Sequence, residues 1–585
     1  MMVMAVLLIE EEMETYKQQV KELSREEIWS RAVDKLTKKR EEQKIIKKDV
    51  VRRLWDHSFN EVLRFRYHKP NSDVLNSWGE FADEIYGSRT PSSLKIAFFC
   101  GPEPENDLNI LTKLGVRVEN VWAIEFAEEA YESALKSAKE KYPTLKIFNG
   151  DIADLMQITS FKFDIIYLDF TTTLLTKKPP ALNVINNIFE NNSLADLGVL
   201  VVNSALPNPT EDNVAFLSSY FASHAFLEES IYTGSYEDSN HIEGRSCYGY
   251  YTKGELSEDD DCEEKNFDDL IKVNFDQAYG AFSSHYPYLF ASYLAPMFKI
   301  ASSERLKKFF LNADEKIINE AIEKISTRED ADKKEVNSRF DLKEGVGTFV
   351  ENIVCNEDED EDEDEFEGAE LFQDAENYPF WSFIYYLKES KGNACAFWYE
   401  QFTKNRNNKT SYLKCSQLYD LLRNGSYIYK KILSPRLSVC ISEVEKSIPD
   451  RRRPLFCDFP MPHLWVELAL NHLGNAYHIN TSEHWRARYK AKKREMFLDM
   501  FTFDSCRPLY DWLPMLELYG NDLKAMERQV ITRACMDLIT KQSHYLSTVS
   551  YFGANLVDAH TYEWPNFAEF PPRINLNKIS DDGQK

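Results

Sequence analysis

Apolar and polar positions change their period along the chain. Residues 10 to about 66 are rich in Glu, Lys, Arg and Gln and contain neither Gly nor Pro. Apolar positions such as Leu23, Ile28, Ala32 and Leu36 recur close to the helical repeat, which predicts an N-terminal helical cap or hairpin. Pro70, Asn71 and Ser72 interrupt it, a short helix is expected near Val74–Tyr86, and 87–93 reads as a linker. From Leu94 to Glu255 short apolar runs alternate with amphipathic stretches. The strand-like runs are Leu94–Cys100, Val121–Glu125, Leu145–Phe148, Phe163–Asp169 and Leu197–Asn203. Helical stretches lie between them at Asp107–Leu114, Ala127–Lys141, Ile152–Ile158 and Asn183–Glu190, with another near Asp212–Ser223. Such alternation predicts a parallel sheet covered by helices. Leu227–Tyr232 and Cys247–Thr252, separated by a polar stretch, read as an antiparallel pair.

The predicted architecture is α/β, a doubly wound, mostly parallel, seven-stranded sheet with a helical N-terminal segment and a separate mixed, largely helical C-terminal domain. The expected boundaries are 1–93 for the helical segment, 94–255 for the sheet domain, 256–355 for a helical extension, 356–370 for an acidic linker and 371–585 for the C-terminal domain. Glu357 to Glu365 is nine consecutive acids, and carboxylates at every spacing predict a disordered linker.

Ligands of an open parallel sheet bind outside the carboxyl ends of its strands. The first strand is expected to end at Cys100-Gly101, followed by Pro102-Glu103-Pro104-Glu105-Asn106-Asp107. A glycine there lets backbone approach a ligand, and the prolines stiffen the turn. The second strand ends in Glu125, an acid suited to a bidentate bond with ribose hydroxyls. After the third come Asp151, which could accept from an adenine amino group, and Ile152, which could pack on the ring. Either acid could equally serve as a helix cap or a turn residue. The fourth strand ends in Asp169.

This arrangement resembles the class I S-adenosylmethionine-dependent methyltransferases. That family has a seven-stranded sheet closed by an antiparallel sixth-and-seventh pair, matched here by Leu227–Tyr232 and Cys247–Thr252. The resemblance implies cofactor contacts from Cys100, Gly101, Asp107, Glu125, Asp151 and Ile152, and chemistry at Asp169. It covers about 160 residues, counted from element boundaries. The first loop departs from the family in carrying one glycine and no acid before it, so Asp107 or Asn106 takes the place of the missing acid. No Pro-Pro-aromatic triplet follows Asp169, and there is no Pro-Cys pair for attack on a pyrimidine. A nicotinamide dinucleotide site also wants an acid after strand two, but its GxGxxG is absent.

Charge enters the picture locally. The chain has 585 residues and a net charge of −26, yet Arg451 to Arg494 holds nine Lys/Arg against three Asp/Glu. Within it Trp485, Arg486, Arg488, Tyr489, Lys490, Lys492, Lys493 and Arg494 interleave cations with aromatics, a pattern that suits phosphates and stacked bases. A solvated basic face is the plainer interpretation. Cys457, His463, His472, His478 and His484 are concentrated nearby, but their spacings fit no zinc module; buried, hydrogen-bonded histidines are expected, and no metal. No CxxC pair and no apolar run of spanning length occur, the longest near the start being Val3 to Ile9. These features suit a cytoplasmic protein that does not enter the membrane. The expected activity is methyl transfer from S-adenosylmethionine to a macromolecular acceptor, nucleic acid ahead of protein. A non-catalytic scaffold with a degenerate cofactor loop is the alternative. A nucleic-acid-binding module with its activity in the C-terminal domain is a third.

Overall fold

The computed structural model describes residues 19–49, 72–222, 267–311, 379–404, 411–418, 434–439, 470–479, 483–512 and 570–578, except 179, 417, 437, 492 and 493, with Arg52 and Lys316 as isolated positions. The expected helices and strands between Ser72 and Ala205 are present; of the helical stretch expected over 10 to about 66, Gln19–Leu36 and Arg40–Gln43 are helical, and 10–18 and nearly all of 50–66 lie outside the described residues. Helices α1 (Gln19–Leu36) and α2 (Ser72–Tyr86) precede the sheet. Then follow β1 (Ile96–Phe99), α3 (Glu105–Lys113), β2 (Val121–Glu125), α4 (Glu128–Lys141), β3 (Lys146–Asn149), α5 (Ile152–Ile158), β4 (Phe163–Asp169), α6 (Ala181–Glu190), β5 (Leu194–Ala205) and α7 (Glu211–Ala222). β1 to β5 are parallel in the order β3-β2-β1-β4-β5.

The partner of β5 comes from far along the chain. Leu227–Tyr232, Cys247–Thr252 and the acidic run lie outside the described residues. The edge of β5 is taken instead by a strand near residue 500, which corrects both the seven-strand count and the separate C-terminal domain. Beyond α7 come α8 (Phe267–Val273), α9 (Phe275–Leu289), α10 (Ala295–Ser302), α11 (Glu304–Phe310), α12 (Pro379–Glu389) and α13 (Asn393–Thr403). The chain then returns as β6 (His478–Ile479), β7 (Trp485–Ala491) and β8 (Arg494–Asp504), followed by α14 (Arg507–Trp512) and β9 (Ile574–Asn575). β8 runs antiparallel to β5 from Leu197↔Asp504 to Ala205↔Met496. β7 pairs antiparallel with β8, β9 runs parallel to β7, and β6 pairs with β8, giving a sheet of nine strands among the described residues. The reason is physical. From Met496 to Asp504 every residue of β8 is buried, as a strand covered on both faces requires, and β5 offers it a long apolar edge.

Strand alternation sorts the core into two layers. Ile96, Phe98, Ile165, Tyr167, Val199, Val201, Leu498 and Met500 face α1, α3 and α4. Ala97, Ile166, Leu168, Leu200, Val202, Phe497 and Phe501 face α5 to α7 and the inserted helices. From Ala278 to Leu289 every residue of α9 is buried, and it presses on β8 so closely that a Cβ on Gly280 would meet the Phe497 ring at 2.8 Å. On the opposite face, Trp29 of α1 stands edge-on to Phe98 and Tyr167, with ring centroids 5.9 and 5.5 Å away. Asp504 accepts from the Tyr86 hydroxyl at 2.7 Å, the Ile45 amide at 3.0 Å and the Cys506 amide at 2.8 Å, which ties the two ends of the described chain together. No described helix is long and apolar enough to cross a membrane.

Candidate active site

One cavity of about 960 Å³ opens at the carboxyl ends of the parallel strands. Cys100, Gly101, Glu125, Asp151, Ile152 and Asp169 all line it, as does Asp107. The seven residues picked out on the sheet domain are therefore brought to one place. The strand order arranges them in sequence: Gly101 after β1, Glu125 at the end of β2, Asp151 after β3, and Asp169 at the end of β4.

Gly101 has φ +59°, the left-handed region that glycine enters at no cost, and a Cβ there would meet nothing within 4 Å. The loop is thus shaped to let a ligand lie against bare backbone. The buried Cys100 thiol is pushed up by burial and then by the nearby Glu125 and Asp107, so it stays protonated and serves as a wall, not a nucleophile. Glu125 accepts from the Ala127 amide at 2.9 Å through Oε1, which orients the carboxylate at the rim. Beside it the exposed Phe126 ring, 72% accessible, lines the same end of the cavity. Asp151 caps α5: its Oδ1 accepts from the Ala153 amide at 2.9 Å. Its capping role and its place on the cavity wall coexist.

Asp107 is buried and lies on the first turn of α3. The Trp29 indole donates to Oδ1 at 2.8 Å, and Arg25 lies 3.8 Å from Oδ2. Burial raises its carboxyl to about 6, against the opposing pull of Arg25 and Trp29. Asp169 accepts from the Asn203 amide at 2.7 Å, and the same Nδ2 donates to the Tyr489 hydroxyl at 2.8 Å. One amide thus holds the carboxylate and a cavity-lining phenol in register. The buried Tyr489 hydroxyl is pushed up by burial and by Asp169, so it remains protonated.

Sequence reasoning missed the contribution of α1. Lys21, Ser24 and Arg25 form part of the wall, and nothing local in their segment signals it. It also misread residues 485–494. These form β7, its link and the first residue of β8, and the period of two separates their side chains. Trp485, Ala487, Tyr489 and Ala491 pack in the core against α1, which removes both rings from base stacking. Arg486 is buried, donating to the carbonyls of Pro571 at 2.6 Å and Phe570 at 3.4 Å. Arg488 lies 3.6 Å from Asp276, and Lys490 is exposed. Lys492 and Lys493 lie outside the described residues. Among the described members of this group, Tyr489 and Arg494 line the cavity. Among the histidines, His478 meets the Tyr510 hydroxyl at 2.9 Å and His484 meets Asp499 at 3.0 Å, both buried and in structural contacts. Cys457 and His463 lie outside the described residues.

Five parallel strands followed by an antiparallel pair, with a ligand-sized cavity at their carboxyl ends, form an α/β domain of the topology that the resemblance implied, with described helices inserted between β5 and β7. No protein-family model and no curated protein matches the chain. Among solved structures, a S-adenosylmethionine-dependent methyltransferase from Clostridium acetobutylicum ATCC 824 is similar at 17% identity and a TM-score of 0.16, covering 30% of this chain and 61% of that one. The mitomycin 7-O-methyltransferase MmcR is similar at 12% identity and a TM-score of 0.16, covering 26% of this chain and 43% of its own. Each overlap spans less than two thirds of the neighbour.

Proposed function

We propose that this protein transfers a methyl group from S-adenosylmethionine to an acceptor, the nucleic-acid alternative having lost the stacking rings of residues 485–494 to the core. The observation that carries the reading is the convergence of Gly101, Glu125, Asp151 and Asp169, from four successive strand ends, on one cavity. When bound, the cofactor supplies an electrophilic methyl carbon whose bond to sulfur breaks as the acceptor's lone pair attacks. The chain's own residues hold and orient. Glu125 offers its carboxylate to the ribose hydroxyls, with Phe126 and Ile152 as apolar flanks for the base. Gly101 lets the loop lie close to the amino-acid end, and Asp107 answers the ammonium there. Asp169, fixed by Asn203, accepts the proton or hydrogen bond of the attacking N–H or O–H.

The sheet supports this reading against a nicotinamide site because the antiparallel partner of β5 is present and the triple-glycine loop is not. A non-catalytic scaffold is the second reading. It is favoured by the single glycine of the first loop and by the commitment of Asp107 to Trp29 and Arg25 of α1. Calorimetric titration of the whole protein with S-adenosylmethionine and with NAD separates the three. Heat with the first alone is expected. No binding of S-adenosylmethionine at millimolar concentration selects the scaffold, and NAD binding selects the dehydrogenase.

A further inference from the structure

Three cations line the cavity, and they come from distant parts of the chain. Lys21 and Arg25 project from α1, and Arg494 begins β8; all three line the cavity. Arg494 is the register partner of Ala491, so it lies on the sheet face that carries Tyr489 and Met496 and packs against α1. Its Nη1 donates to the Thr171 carbonyl at 2.8 Å, which anchors the guanidinium over the loop after β4 and uses one of its five donors. Thr171 and Thr172, both exposed, line the same wall. The groups facing these cations are Asp107, 3.8 Å from Arg25, and Asp169 beside Tyr489.

The strand order places Arg494 away from the cofactor end, whereas Arg25 stands beside Asp107. From β1 to β8 the sheet passes through β4 and β5, three inter-strand steps or about 14 Å. The acids Glu103, Glu125 and Asp151 lie at the β1-to-β3 end, and Arg494 lies at the other. An acceptor reaching Asp169 from the β8 side therefore meets positive charge first. Several cations around one opening suit a doubly charged oxyanion, and a guanidinium fork matches a phosphate better than a point charge does.

We propose that the wall formed by Lys21, Thr171 and Arg494 is the anchoring subsite for a phosphate group of the methyl acceptor. This rests on the methyl-transfer reading for the word acceptor only; the anion site itself stands on the geometry. The phosphate belongs either to a small phosphorylated molecule or to a nucleic acid strand, and both present the same oxyanion chemistry. Lys490, exposed on the opposite face of the hairpin, takes no part.

The test is calorimetry on the full-length chain at low salt. The probes are inorganic phosphate, adenosine 5′-monophosphate and a short single-stranded RNA, each with and without saturating S-adenosylmethionine. Wild type is expected to bind inorganic phosphate and at least one phosphate ester, with the cofactor bound at the same time. Arg494→Gln and Lys21→Gln should each weaken this by about tenfold, as loss of a charged hydrogen-bonding partner does. Lys490→Gln should not. Tighter binding of the monophosphate points to a small acceptor, and tighter, salt-sensitive binding of the RNA points to a strand. Three results overturn the proposal: no phosphate binding by wild type, equal weakening by Lys490→Gln, or competition between phosphate and S-adenosylmethionine, which would assign the cations to the cofactor's carboxylate. Should Arg494→Gln fail to fold, Lys21→Gln carries the test. Phosphate binding without any S-adenosylmethionine binding would overturn the methyl-transfer reading and leave the anion site.

Discussion

The indole of Trp29 donates to the carboxylate of Asp107 at 2.8 Å, linking the N-terminal helix to the wall of the cavity. The bond is buried, and among the described residues its acceptor has Arg25, 3.8 Å away, as counter-charge. Trp29→Phe keeps most of the ring packing on Phe98 and Tyr167 and removes the donor. It should cost about 1.5–3 kcal/mol, the range for a hydrogen bond to a charged group. Urea unfolding at pH 8 measures this. The cost should shrink below pH 6, where Asp107, raised to about 6 by burial, takes up a proton and the bond loses its charge. A cost independent of pH would show that packing alone is lost.

Glu125 has one oxygen turned to the Ala127 amide and lies at the rim. Glu125→Ala removes its contact with the ribose, so S-adenosylmethionine affinity should fall by about 1.5–3 kcal/mol, roughly tenfold to 150-fold. The melting temperature without ligand should barely move. Calorimetry on both proteins decides it, and equal affinities would remove Glu125 from the cofactor site.

Gly101→Ala tests the loop. Its φ of +59° costs an L-residue about 1–2 kcal/mol, while the new methyl meets no protein atom within 4 Å. Stability should drop by that amount and no more. Cofactor binding should suffer further, because the methyl enters the open cavity. If affinity is retained, the backbone of this loop does not touch the ligand.

Asp169→Ala should leave S-adenosylmethionine binding within about threefold and lower the transfer rate by about 10²–10⁴, the usual worth of a positioned acid or base. Asn203→Ala should fall between that variant and wild type, since Asn203 acts through the carboxylate it holds. A single-turnover assay with radiolabelled methyl donor separates the two effects. Full activity in Asp169→Ala would leave the acceptor oriented by other groups.

Stability against acid carries opposing contributions. Burial lowers His478 to about 3 and His484 to about 4, from an ordinary 6.5. Their support is complete above pH 6.5 and is lost as the pH falls, because the unfolded chain binds the protons first. Asp107 and Asp504, each raised to about 6 from 3.8, act the other way: they favour the fold in acid and cost stability as pH rises through 6. Wild type should therefore vary little between pH 6 and 4. His478→Gln removes one of the two histidines from that balance. Between pH 8 and 4 its stability should gain on wild type by about 3 kcal/mol. Parallel curves would mean His478 is not protonation-linked to unfolding.

The parallel half of the sheet was legible in the sequence because each of its strands is a local event. Val121–Glu125 and Phe163–Asp169 are bounded by turns and followed by a helix, and the residues at their ends fall on one cavity. The closing strands were not. Trp485-Arg486-Ala487-Arg488-Tyr489 alternates with a period of two, yet its composition suggested a nucleic-acid surface. In the fold the alternation puts rings inward and cations on the other face. The register of β8 on β5 and the docking of Arg25 on Asp107 are long-range choices, set by which apolar edge and which buried charge remain free, and no short window of sequence records them.

The pairing of β5 with β8 also dictates a timetable. Ala205 pairs with Met496 and Leu197 with Asp504, partners about 300 residues apart, so this half of the sheet is built from contacts of high sequence separation. At about 5–20 residues per second, a ribosome that has just released β5 needs roughly 15–60 seconds to deliver β8. Throughout that interval an apolar strand of twelve residues has one open edge. The nascent chain is thus exposed to mispairing at a known place, Leu194–Ala205, until β8 arrives to cover it.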